Sequence, residues 1–442
     1  MRVLKFGGTS VGTADSIQQV INIVLNTEGS KIVVLSAFSG VTNLLVEIDS
    51  KAKENNAFQI SLNEFKNRCS EVIDDLFTTS SFKNVALNFL SSTITSIQEK
   101  LELPYSDVTE KFLLAQGELI STNVIQFYLQ ELGIDSKLIP ALDFMRIDKN
   151  NEPNNSQIHN LIQPFLNEKK SEIYITQGFI CRDNKGQISN LQRGGSDYTA
   201  SLIGATIDAS EIQIWTDIDG MHNNDPRFVD HTFSVEEVSF DEAAELAYFG
   251  AKILHPQSLI PAREKGIPVL LKNTFAPEKK GTIIKNNAVT KGVTSIAAKD
   301  GIIAIKIKSY RMLMAYGFLK KVFEVFETYK TPIDMITTSE VAVSLTIDDK
   351  THLDSIIEDL KPFGSVEVDS DLSIVCVAGD FSQNKEGVSA KVFNALQNIP
   401  IRMISYGGSN YNTSLLVKTS DKVAALNALN SELFREKLLN LV

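Results

Sequence analysis

Residues 5–12 read Lys-Phe-Gly-Gly-Thr-Ser-Val-Gly and join an apolar segment, Val3–Phe6, to a helix predicted to begin near Thr13. A second glycine pair lies in Arg193–Asp197 (RGGSD), at the start of another predicted helix. The first N–H groups of a helix lack intrahelical acceptors, and glycine lets an anion approach them closely. Two such turns predict two anion-binding sites, with the lysine at the end of the strand supplying positive charge. The alternative is that the first glycine pair only forms a tight turn.

Length and charge exclude several classes of partner. The chain has 442 residues, and its 54 acidic and 43 basic residues give a net charge of -11. A chain of this length predicts two or three domains. Without a Lys/Arg-rich tract, nucleic acid and anionic membrane surfaces are poor partners. No long apolar run and no charged-then-apolar N-terminal segment occurs, so we expect no membrane span, no signal peptide and a cytoplasmic location.

Several common chemistries have no counterpart in the sequence. There is no GxxxxGK[ST] motif, and GGTSVG lacks the GxGxxG spacing of dinucleotide sites. The histidines show neither HExxH nor paired spacing, and no GxSxG motif occurs. The cysteines, Cys69, Cys181 and Cys376, lie outside any CxxC spacing and are predicted to be reduced hydrophobic residues. We therefore expect no metal ion held by protein ligands.

Strands and helices alternate from Met1 to about Asn273, which is the pattern of a parallel sheet covered by helices on both faces. The predicted strands are short and rich in Val or Ile: Val3–Phe6, Lys31–Ala37, Glu172–Gln177, Glu211–Thr216 and Pro268–Lys272. Residues 58–130 are predicted to be helical throughout. Residues 179–191 are predicted to form a hairpin.

A weak internal repeat marks the chain beyond about Lys280. GFLKKVF at Gly317 returns as GVSAKVF at Gly387, and PIDMI at Pro332 returns as PIRMI at Pro400. Each copy runs from an amphipathic helix to a strand, a turn and a second strand. Two such α+β units indicate a regulatory or assembly module, and the alternative is a second packed domain without a ligand.

Eight motifs occur in an order that resembles the aspartate kinases of the amino acid kinase superfamily. They are KFGGTSV at 5–11, SAFSGVTN at 36–43, GELIST at 117–122, QGF at 177–179, RGGSD at 193–197, WTDIDG at 215–220, DPR at 225–227 and FGAKILHP at 249–256. The tail, with YGFLKKVF at 316–323 and DMITTSEVAVSLT at 334–346, resembles that family's paired ACT domains, particularly those of the lysine-inhibited monofunctional type.

The resemblance implies an α/β fold in which a mainly parallel sheet is sandwiched by helices, followed by two α+β, ferredoxin-like ACT domains. Residues 1–290 would form the catalytic domain, with 58–130 as a helical substrate-side segment, and 291–442 the regulatory region. The first ACT-like unit would span about 308–380. The second would span about 381–442 and be completed by the strand near 296–307. Since the chain ends with the second unit, we expect no fused homoserine dehydrogenase.

The implied reaction transfers the γ-phosphoryl group of ATP to the β-carboxylate of L-aspartate, the first step toward lysine, threonine and methionine. That carboxylate, with an ordinary pKa of about 3.9, is already ionised at neutral pH and needs no general base. Catalysis then requires positioning and positive charge, which suits a site of Lys, Arg and backbone N–H groups without histidine. Mg²⁺ is expected to arrive with ATP and to keep several waters.

The resemblance implies three catalytic residues. Lys5 would neutralise the transferring phosphoryl group, Asp197 would orient Lys5, and Lys252 would make a second phosphate contact. The ATP contacts implied are Lys5, Phe6, Gly7, Gly8, Thr9, Thr216, Asp217, His222, Arg227 and Lys252. His222 stands where the family usually has tyrosine. The alternatives are a helix-capping role for Asp197, which Ser196 can also perform, and a solvated helix position for Lys252.

The substrate aspartate needs an anion for its α-ammonium and a cation for its α-carboxylate. The resemblance assigns these roles to Glu118 and Arg193, whose guanidinium can bind a carboxylate through two hydrogen bonds. The remaining substrate contacts implied are Ser36, Thr42, Gly194, Gly195 and Ser196. For the serine and threonine residues, turn-forming hydrogen bonds are the alternative.

The lysine-sensitive relatives imply an effector site between the ACT domains of two subunits, and therefore a homodimer or a tetramer. The matching residues are Met312, Ala315, Phe318, Leu319, Asp334, Thr338, Ser339 and Glu340. Bound lysine presents two ammonium groups, for which Asp334 and Glu340 are the acidic partners. The alternative is that both carboxylates only solvate a turn. Ala315 replaces a serine of those relatives and removes one hydrogen bond.

A non-catalytic amino acid sensor with the same fold is the alternative function. Joint retention of Lys5, Glu118, Arg193, Asp197 and Lys252 favours a catalyst, because a binding module has no use for phosphate-binding lysines. Glutamate kinase and acetylglutamate kinase are substrate variants of the same reaction. The ACT-like tail and SAFSGVTN argue against both.

Overall fold

The computed structural model of the chain describes residues 1–167, 171–191, 194–249, 254–288, 292–312, 316–381 and 387–439. The β-strands of this part of the chain are β1 (Arg2–Phe6), β2 (Lys31–Leu35), β3 (Lys137–Leu138), β4 (Ile173–Gln177), β5 (Ile180–Arg182), β6 (Ile188–Asn190), β7 (Glu211–Thr216), β8 (Glu237–Ser239), β9 (Val269–Asn273), β10 (Thr282–Lys285), β11 (Gly292–Lys308), β12 (Ile336–Ser339), β13 (Ala342–Ile347), β14 (Ser365–Asp380), β15 (Met403–Tyr406) and β16 (Asn412–Lys418).

The α-helices of the same residues are α1 (Ala14–Asn26), α2 (Val41–Lys53), α3 (Gln59–Leu76), α4 (Ser80–Leu101), α5 (Asp107–Glu131), α6 (Ala141–Phe144), α7 (Asn155–Asn167), α8 (Gly195–Thr206), α9 (Phe240–Tyr248), α10 (Ile260–Lys265), α11 (Phe318–Thr328), α12 (Leu353–Leu360), α13 (Val388–Ala395), α14 (Lys422–Leu433) and α15 (Arg435–Leu439). None of these described helices combines the length and apolar character needed to cross a bilayer.

The first of two compact units comprises Met1–Met221, Glu236–Phe240 and Leu254–Ala288. It contains an eight-stranded sheet in the order β3-β4-β2-β1-β7-β9-β10-β8, in which only the β9–β10 pair is antiparallel among the described strands. Strands β2 and β4 are buried over their whole length, as in a sheet covered on both faces. The mainly parallel sheet is thus confirmed.

Strand β1 lies between β2 and β7, where Lys5 pairs with Val34 on one side and Ile214 on the other. The carboxyl ends of parallel strands meet at one edge of a sheet. The loops that follow β1, β2, β4 and β7 carry the KFGGTSV, SAFSGVTN, QGF and WTDIDG motifs. The topology therefore brings four motifs that are distant in sequence to the same edge.

The segment predicted to be helical over 58–130 forms three helices, α3, α4 and α5, with breaks at 77–79 and 102–106. Helix α5 approaches the loop after β2 closely at Gly117, where a Cβ atom would lie 2.8 Å from the Cβ of Ala37. Only glycine permits this approach. The predicted hairpin is formed by the antiparallel strands β5 and β6.

The second unit comprises residues within His222–Val235, Asp241–Ile253 and Val289–Val442. Its six-stranded antiparallel sheet has the order β12-β13-β11-β14-β16-β15, and the long strands β11 and β14 pair along most of their length. Helices α11 and α13 each follow a glycine in the left-handed region, Gly317 at φ 78° and Gly387 at φ 83°. Each copy of the sequence repeat therefore consists of a capping glycine, a helix and the strands that follow.

Candidate active site

The turn after β1 leaves two backbone N–H groups without acceptors. The N–H of Gly7 donates to the carbonyl of Trp215 over 3.2 Å, whereas no described residue accepts from the N–H of Gly8 or Thr9. These residues open a short 3₁₀ turn, Thr9–Val11, and α1 begins later, capped by the side chain of Thr13. The turn can therefore donate two hydrogen bonds to an anion.

The second glycine turn precedes α8. Gly194 and Gly195 have φ values of 72° and 47°, in the region that favours glycine. The N–H groups of Gly195 and Ser196 have no acceptor among the described residues. The side chain of Ser196 does not cap α8; its Oγ accepts a hydrogen bond from Ser36 Oγ over 2.9 Å. The capping role considered for Ser196 is thus wrong.

Lys5 and Asp197 form an ion pair at the edge of the sheet, with Lys5 Nζ 2.7 Å from Asp197 Oδ1. The two side chains are 11% and 17% exposed, so neither is simply solvated. Asp197 lies in the first turn of α8, where a negative charge also interacts favourably with the helix dipole. The pair holds the lysine ammonium beside Gly7, where a Cβ atom would lie 3.6 Å from Nζ.

Glu118 is a buried carboxylate on α5. Its residue is 4% exposed, and its Oε2 atom has no hydrogen-bond partner among the described residues. Burial raises the pKa of the Glu118 carboxyl to about 8, against a smaller lowering effect of a hydrogen bond with the backbone of Ala37. A buried carboxyl oxygen without a hydrogen-bond partner is unfavourable unless a ligand, such as an ammonium group, binds it. Its environment therefore suits an ammonium ligand.

The two glycine turns and Glu118 line a cavity of about 490 Å³ within the first unit. The cavity is lined by Gly7, Gly8, Thr9, Ser36, Ala37, Phe38, Ser39, Gly40, Thr42, Glu118, Phe179, Gly195, Ser196, Thr216 and Asp217. Both glycine turns and Glu118 thus face one space, at the edge where the parallel strands end. Among the described residues, no cluster of His, Cys, Asp and Glu is arranged to hold a metal ion.

Three other residues predicted to contact ATP, Phe6, His222 and Arg227, are not among those that line this cavity. The side chain of Phe6 is fully buried and stacks on Trp215, with ring centroids 5.9 Å apart, so only its backbone can contact a ligand. His222 and Arg227 belong to the second unit. Arg227 Nη2 lies 2.6 Å from Asp225 Oδ2, and its side chain is 72% exposed. Arg193, Lys252 and Ala315 lie outside the described residues.

The predicted effector residues lie in the first half of the repeat. Thr338 and Ser339 belong to β12, Glu340 follows it, and Phe318 and Leu319 begin α11. Glu340 is exposed, but the side chain of Asp334 is 1% exposed and its Oδ1 lies 2.9 Å from Lys299 Nζ. Asp334 also accepts a hydrogen bond from the hydroxyl of Tyr248 over 2.7 Å. Asp334 therefore does more than solvate a turn.

Sequence reasoning missed the residues that hold the cavity loops in place. Arg68 on α3 donates to the carbonyl oxygens of Gly12, at 2.6 Å, and Ser39, at 3.4 Å. Ser121 on α5 donates to the carbonyl of Ser36 over 2.8 Å. Ser121 lies within the GELIST motif, so the sequence could have indicated its role. Nothing in the sequence around Arg68, in a long helical segment, indicated that it would hold these loops.

The chain matches the amino acid kinase family over residues 1–273 and the ACT domain over residues 375–433. The lysine-sensitive aspartokinase 3 of Escherichia coli is 34% identical to it, over 98% of this chain and 99% of its own. The chain belongs to the aspartokinases of the amino acid kinase family. Aspartokinase 1 of Arabidopsis chloroplasts is 33% identical, over 98% of this chain and 80% of its own.

Solved aspartokinase structures share the fold. The structure of Escherichia coli aspartokinase III with aspartate and ADP has a TM-score of 0.85 at 33% identity, covering 98% of this chain and 100% of that one. The structure of the same enzyme with lysine and aspartate has a TM-score of 0.83 at 34% identity, covering 98% and 99%. The aspartokinase fold, with its ACT-like antiparallel sheet, is thus confirmed for this chain.

Proposed function

We propose that this chain is a catalyst that transfers the γ-phosphoryl group of ATP to the β-carboxylate of L-aspartate and forms 4-phospho-L-aspartate. The observation that carries the proposal is the cavity that combines a buried carboxyl group, Glu118, whose Oε2 atom has no partner among the described residues, with two turns of open backbone N–H groups. A cationic group and phosphate oxygens can bind there side by side. The solved structure of Escherichia coli aspartokinase III is a complex with aspartate and ADP, which supports the proposal.

In the proposed mechanism the protein supplies position and charge. Glu118 binds the α-ammonium of aspartate, and Arg193 binds its α-carboxylate, so that the β-carboxylate is left to attack. Gly8 and Thr9 donate backbone hydrogen bonds to the phosphate groups. Lys5 compensates the charge that develops as the phosphoryl group moves, and Asp197 holds the Lys5 ammonium in place. Mg²⁺ enters as part of the MgATP substrate.

The geometry also favours a catalyst over a non-catalytic sensor. A sensor of amino acids would need Glu118 but not a lysine fixed by a carboxylate beside an open glycine turn. Holding Lys5 and Asp197 mostly buried requires their desolvation, which a binding site for a neutral or zwitterionic ligand does not need. The ion pair is explained if Lys5 acts on a phosphate.

We further propose that lysine inhibits the enzyme at the first ACT-like unit, through Met312, Phe318, Leu319, Asp334, Thr338, Ser339 and Glu340. Asp334 Oδ2 is buried without a hydrogen-bond partner in the described part of the chain, so it can accept an ammonium in addition to Lys299. The proposal includes a homodimer formed through the ACT-like units, a cytoplasmic location and a role in lysine and threonine biosynthesis.

An ATP-dependent hydroxamate assay tests the function. Hydroxylamine traps an acyl phosphate, so colour that depends on ATP and aspartate reports the proposed product. We expect activity with aspartate and little with glutamate or acetylglutamate, and inhibition when lysine is added. Binding of aspartate without ATP-dependent hydroxamate formation would instead support the sensor.

A further inference from the structure

One residue that lines the same cavity as Glu118 has an unfavourable backbone conformation. Phe179, in the QGF motif that follows β4, lines this cavity and has a φ of 67°. The N–H of Ile180 donates to the carbonyl of Gly178 over 2.7 Å and closes a three-residue turn around Phe179. A turn with this hydrogen bond and a positive φ at its central residue is the rare, strained form of the γ-turn.

Phe179 is the one aromatic residue in this backbone region within the described part of the chain. The other non-glycine residues with a positive φ there are Asn55, Asn151, Asp208, His231, Asn287, Lys330 and Asp371. Apart from Lys330 they are Asn, Asp or His, the types most often found in that region, and none of them lines the cavity. Strain of this kind persists only where the surrounding structure enforces it, and it is concentrated at ligand sites.

Two buried hydrogen bonds hold the backbone of Phe179. Its N–H donates to Thr199 Oγ1 on α8 over 2.8 Å, and its carbonyl accepts from the N–H of Leu191 over 2.8 Å. Thr199 and Leu191 are 0% and 2% exposed, so water is not available to replace either partner. The bond from Leu191 comes from the backbone, whereas the bond to Thr199 depends on a side chain. Thr199 therefore stabilises the strained turn through a group that mutation can remove.

The residues that precede Phe179 are also fixed. Gln177 is 1% exposed; its Nε2 donates to Thr122 Oγ1 on α5 over 2.7 Å, and its Oε1 accepts from the N–H of Ala141 over 2.7 Å. Gly178 packs so closely against α8 that a Cβ atom on it would lie 2.3 Å from the Cβ of Ser196. The whole QGF segment is thus held between α5 and α8, and it cannot relieve the strain by moving as a unit.

The ring of Phe179 lies against the glycine turn at the start of α8. A Cβ atom on Gly195 would lie 4.0 Å from Phe179 Cδ2, which is an ordinary van der Waals distance. The hydroxyl of Thr199 also donates to the carbonyl of Gly195 over 3.4 Å, so one side chain contacts both the strained turn and the glycine turn. The half-buried ring carries no polar atom. It can therefore limit the space of the cavity but cannot bind a charged group of the substrate through hydrogen bonds.

We infer that Phe179 limits the length of the amino acid that the cavity accepts, and that Thr199 is a positioning residue that holds the Phe179 ring in place. This inference rests on the proposed function, which places the amino acid at Glu118 and the phosphate groups at Gly8 and Thr9. L-Glutamate is one methylene longer than L-aspartate, and a fixed apolar wall rejects that methylene by occupying its volume. Loss of the ring, or relaxation of the turn, would open this volume and reduce the preference for aspartate.

Calorimetry tests the inference through the Kd values of L-aspartate, L-glutamate and ADP. We expect Phe179→Ala to lower the ratio of the glutamate Kd to the aspartate Kd by about tenfold or more, the usual effect of one methylene in an apolar pocket. The ADP Kd should change by less than about twofold, because the ring limits only the space for the amino acid.

Substitutions of Thr199 test the positioning role. Thr199→Val replaces the hydroxyl with a methyl group of similar size, so the N–H of Phe179 loses its acceptor, and the Kd ratio should fall about threefold. Thr199→Ser keeps the hydroxyl and should keep the wild-type ratio. Thr206→Val is the matched control, since Thr206 lies on the same helix and its hydroxyl donates to the carbonyl of Leu202 over 2.6 Å. The control should also keep the wild-type ratio.

Phe179→Gly separates the effect of the ring from that of the backbone strain. Alanine and glycine both remove the ring, but only glycine adopts a φ of 67° without strain. Both variants should lose the preference for aspartate. The glycine variant should nevertheless unfold at a temperature about 2 °C higher than the alanine variant.

An unchanged Kd ratio in folded Phe179→Ala and Thr199→Val would overturn the inference, as would an equal weakening of aspartate, glutamate and ADP. If Phe179→Ala does not fold, Phe179→Gly and Thr199→Val decide the matter. If the wild-type chain binds aspartate but forms no hydroxamate with ATP, the proposed function fails, and a lower Kd ratio in the variants would still support the role of Phe179. Hydroxamate formation by the wild type with an unchanged ratio in the variants would refute the inference alone.

Discussion

Lys299 Nζ lies 2.9 Å from Oδ1 of Asp334 and 2.8 Å from Oδ2 of Asp348. Although burial lowers the pKa of Lys299, its hydrogen bonds to Asp348 and Asp334 raise that pKa overall. The carboxylate proposed to bind an effector ammonium is thus already neutralised by a lysine of its own chain. Asp334 and Glu340 should therefore respond differently to mutation.

Lysine inhibition should depend on both Asp334 and Glu340, but only Asp334 should affect the free energy of unfolding. Glu340 is exposed, so Glu340→Ala should weaken lysine inhibition and leave the free energy of unfolding unchanged. Asp334→Asn should also weaken inhibition and lower the free energy of unfolding by about 2 kcal/mol, since Lys299 keeps only Asp348. Activity titrated with lysine and threonine, together with urea unfolding, measures both effects. The exposed Glu327→Ala on α11 is a suitable control. An unchanged lysine response in both variants would rule out this effector site.

Replacement of Lys5 should remove catalysis without unfolding the protein. Lys5→Ala deletes the charge that we assign to the transferring phosphoryl group, and loss of such a group typically lowers turnover by about a hundredfold or more. Turnover at saturating ATP, with circular dichroism as a check of folding, measures the effect. The exposed Lys53→Ala on α2 should behave like the wild type. A Lys5→Ala enzyme with more than about a tenth of wild-type turnover would contradict the assigned role.

Glu118→Gln should impair aspartate binding selectively. The amide cannot supply the negative charge that the α-ammonium requires, so we expect a loss of about 2 kcal/mol or more, seen mainly in the aspartate KM. The ATP KM should change little. Steady-state kinetics with each substrate varied in turn separates the two effects. Equal weakening of ATP and aspartate would show that the residue supports the fold of the site instead.

The raised pKa of Glu118 predicts that stability and aspartate binding change in opposite directions as the pH rises. Its native pKa of about 8 lies above its ordinary value of 4.5, so the native state binds more protons between these limits. Stability should therefore fall as pH rises through this window, and Glu118→Gln should be more stable than the wild type near pH 8. Aspartate binding needs the ionised carboxylate, so wild-type aspartate KM should fall as pH rises from about 6 to 8.

Thermal unfolding and aspartate kinetics across this pH range check both signs. In Glu118→Gln the pH dependence of aspartate KM should disappear, because the titrating group is gone. A flat wild-type profile, or a variant that loses stability relative to the wild type at pH 8, would argue against a buried carboxyl with this pKa.

The glycine motifs could be located from the sequence because they follow short apolar strands, and parallel strands end at one edge of a sheet. The sequence could not show which backbone N–H groups of these turns lack an acceptor, because Gly7 donates to Trp215, a residue on a strand far along the chain. Glu118 stood out as an acidic residue in an apolar helical stretch. The structure was needed to show that its Oε2 atom has no hydrogen-bond partner among the described residues.

Polar pairs between residues far apart in the chain could not be predicted from local sequence patterns. Asn223 and Asn430 are separated by 207 residues, and Lys299 and Asp334 by 35. Sequence periodicity reports which face of a helix or strand is buried, but not which polar side chains meet after folding.

The division of the chain into interleaved units also bears on the order in which it can fold during synthesis. Val229 and Phe233 leave the ribosome with the first unit, yet Val229 packs with residues as late as Phe434, and Phe233 stacks edge-on against Phe434, 5.6 Å away. Both apolar side chains therefore remain without these packing partners until nearly the entire polypeptide has been synthesised. A fragment ending near residue 290 lacks Phe434 and its neighbours, so we expect the segment that carries Val229 and Phe233 to fold only in a chain that includes them.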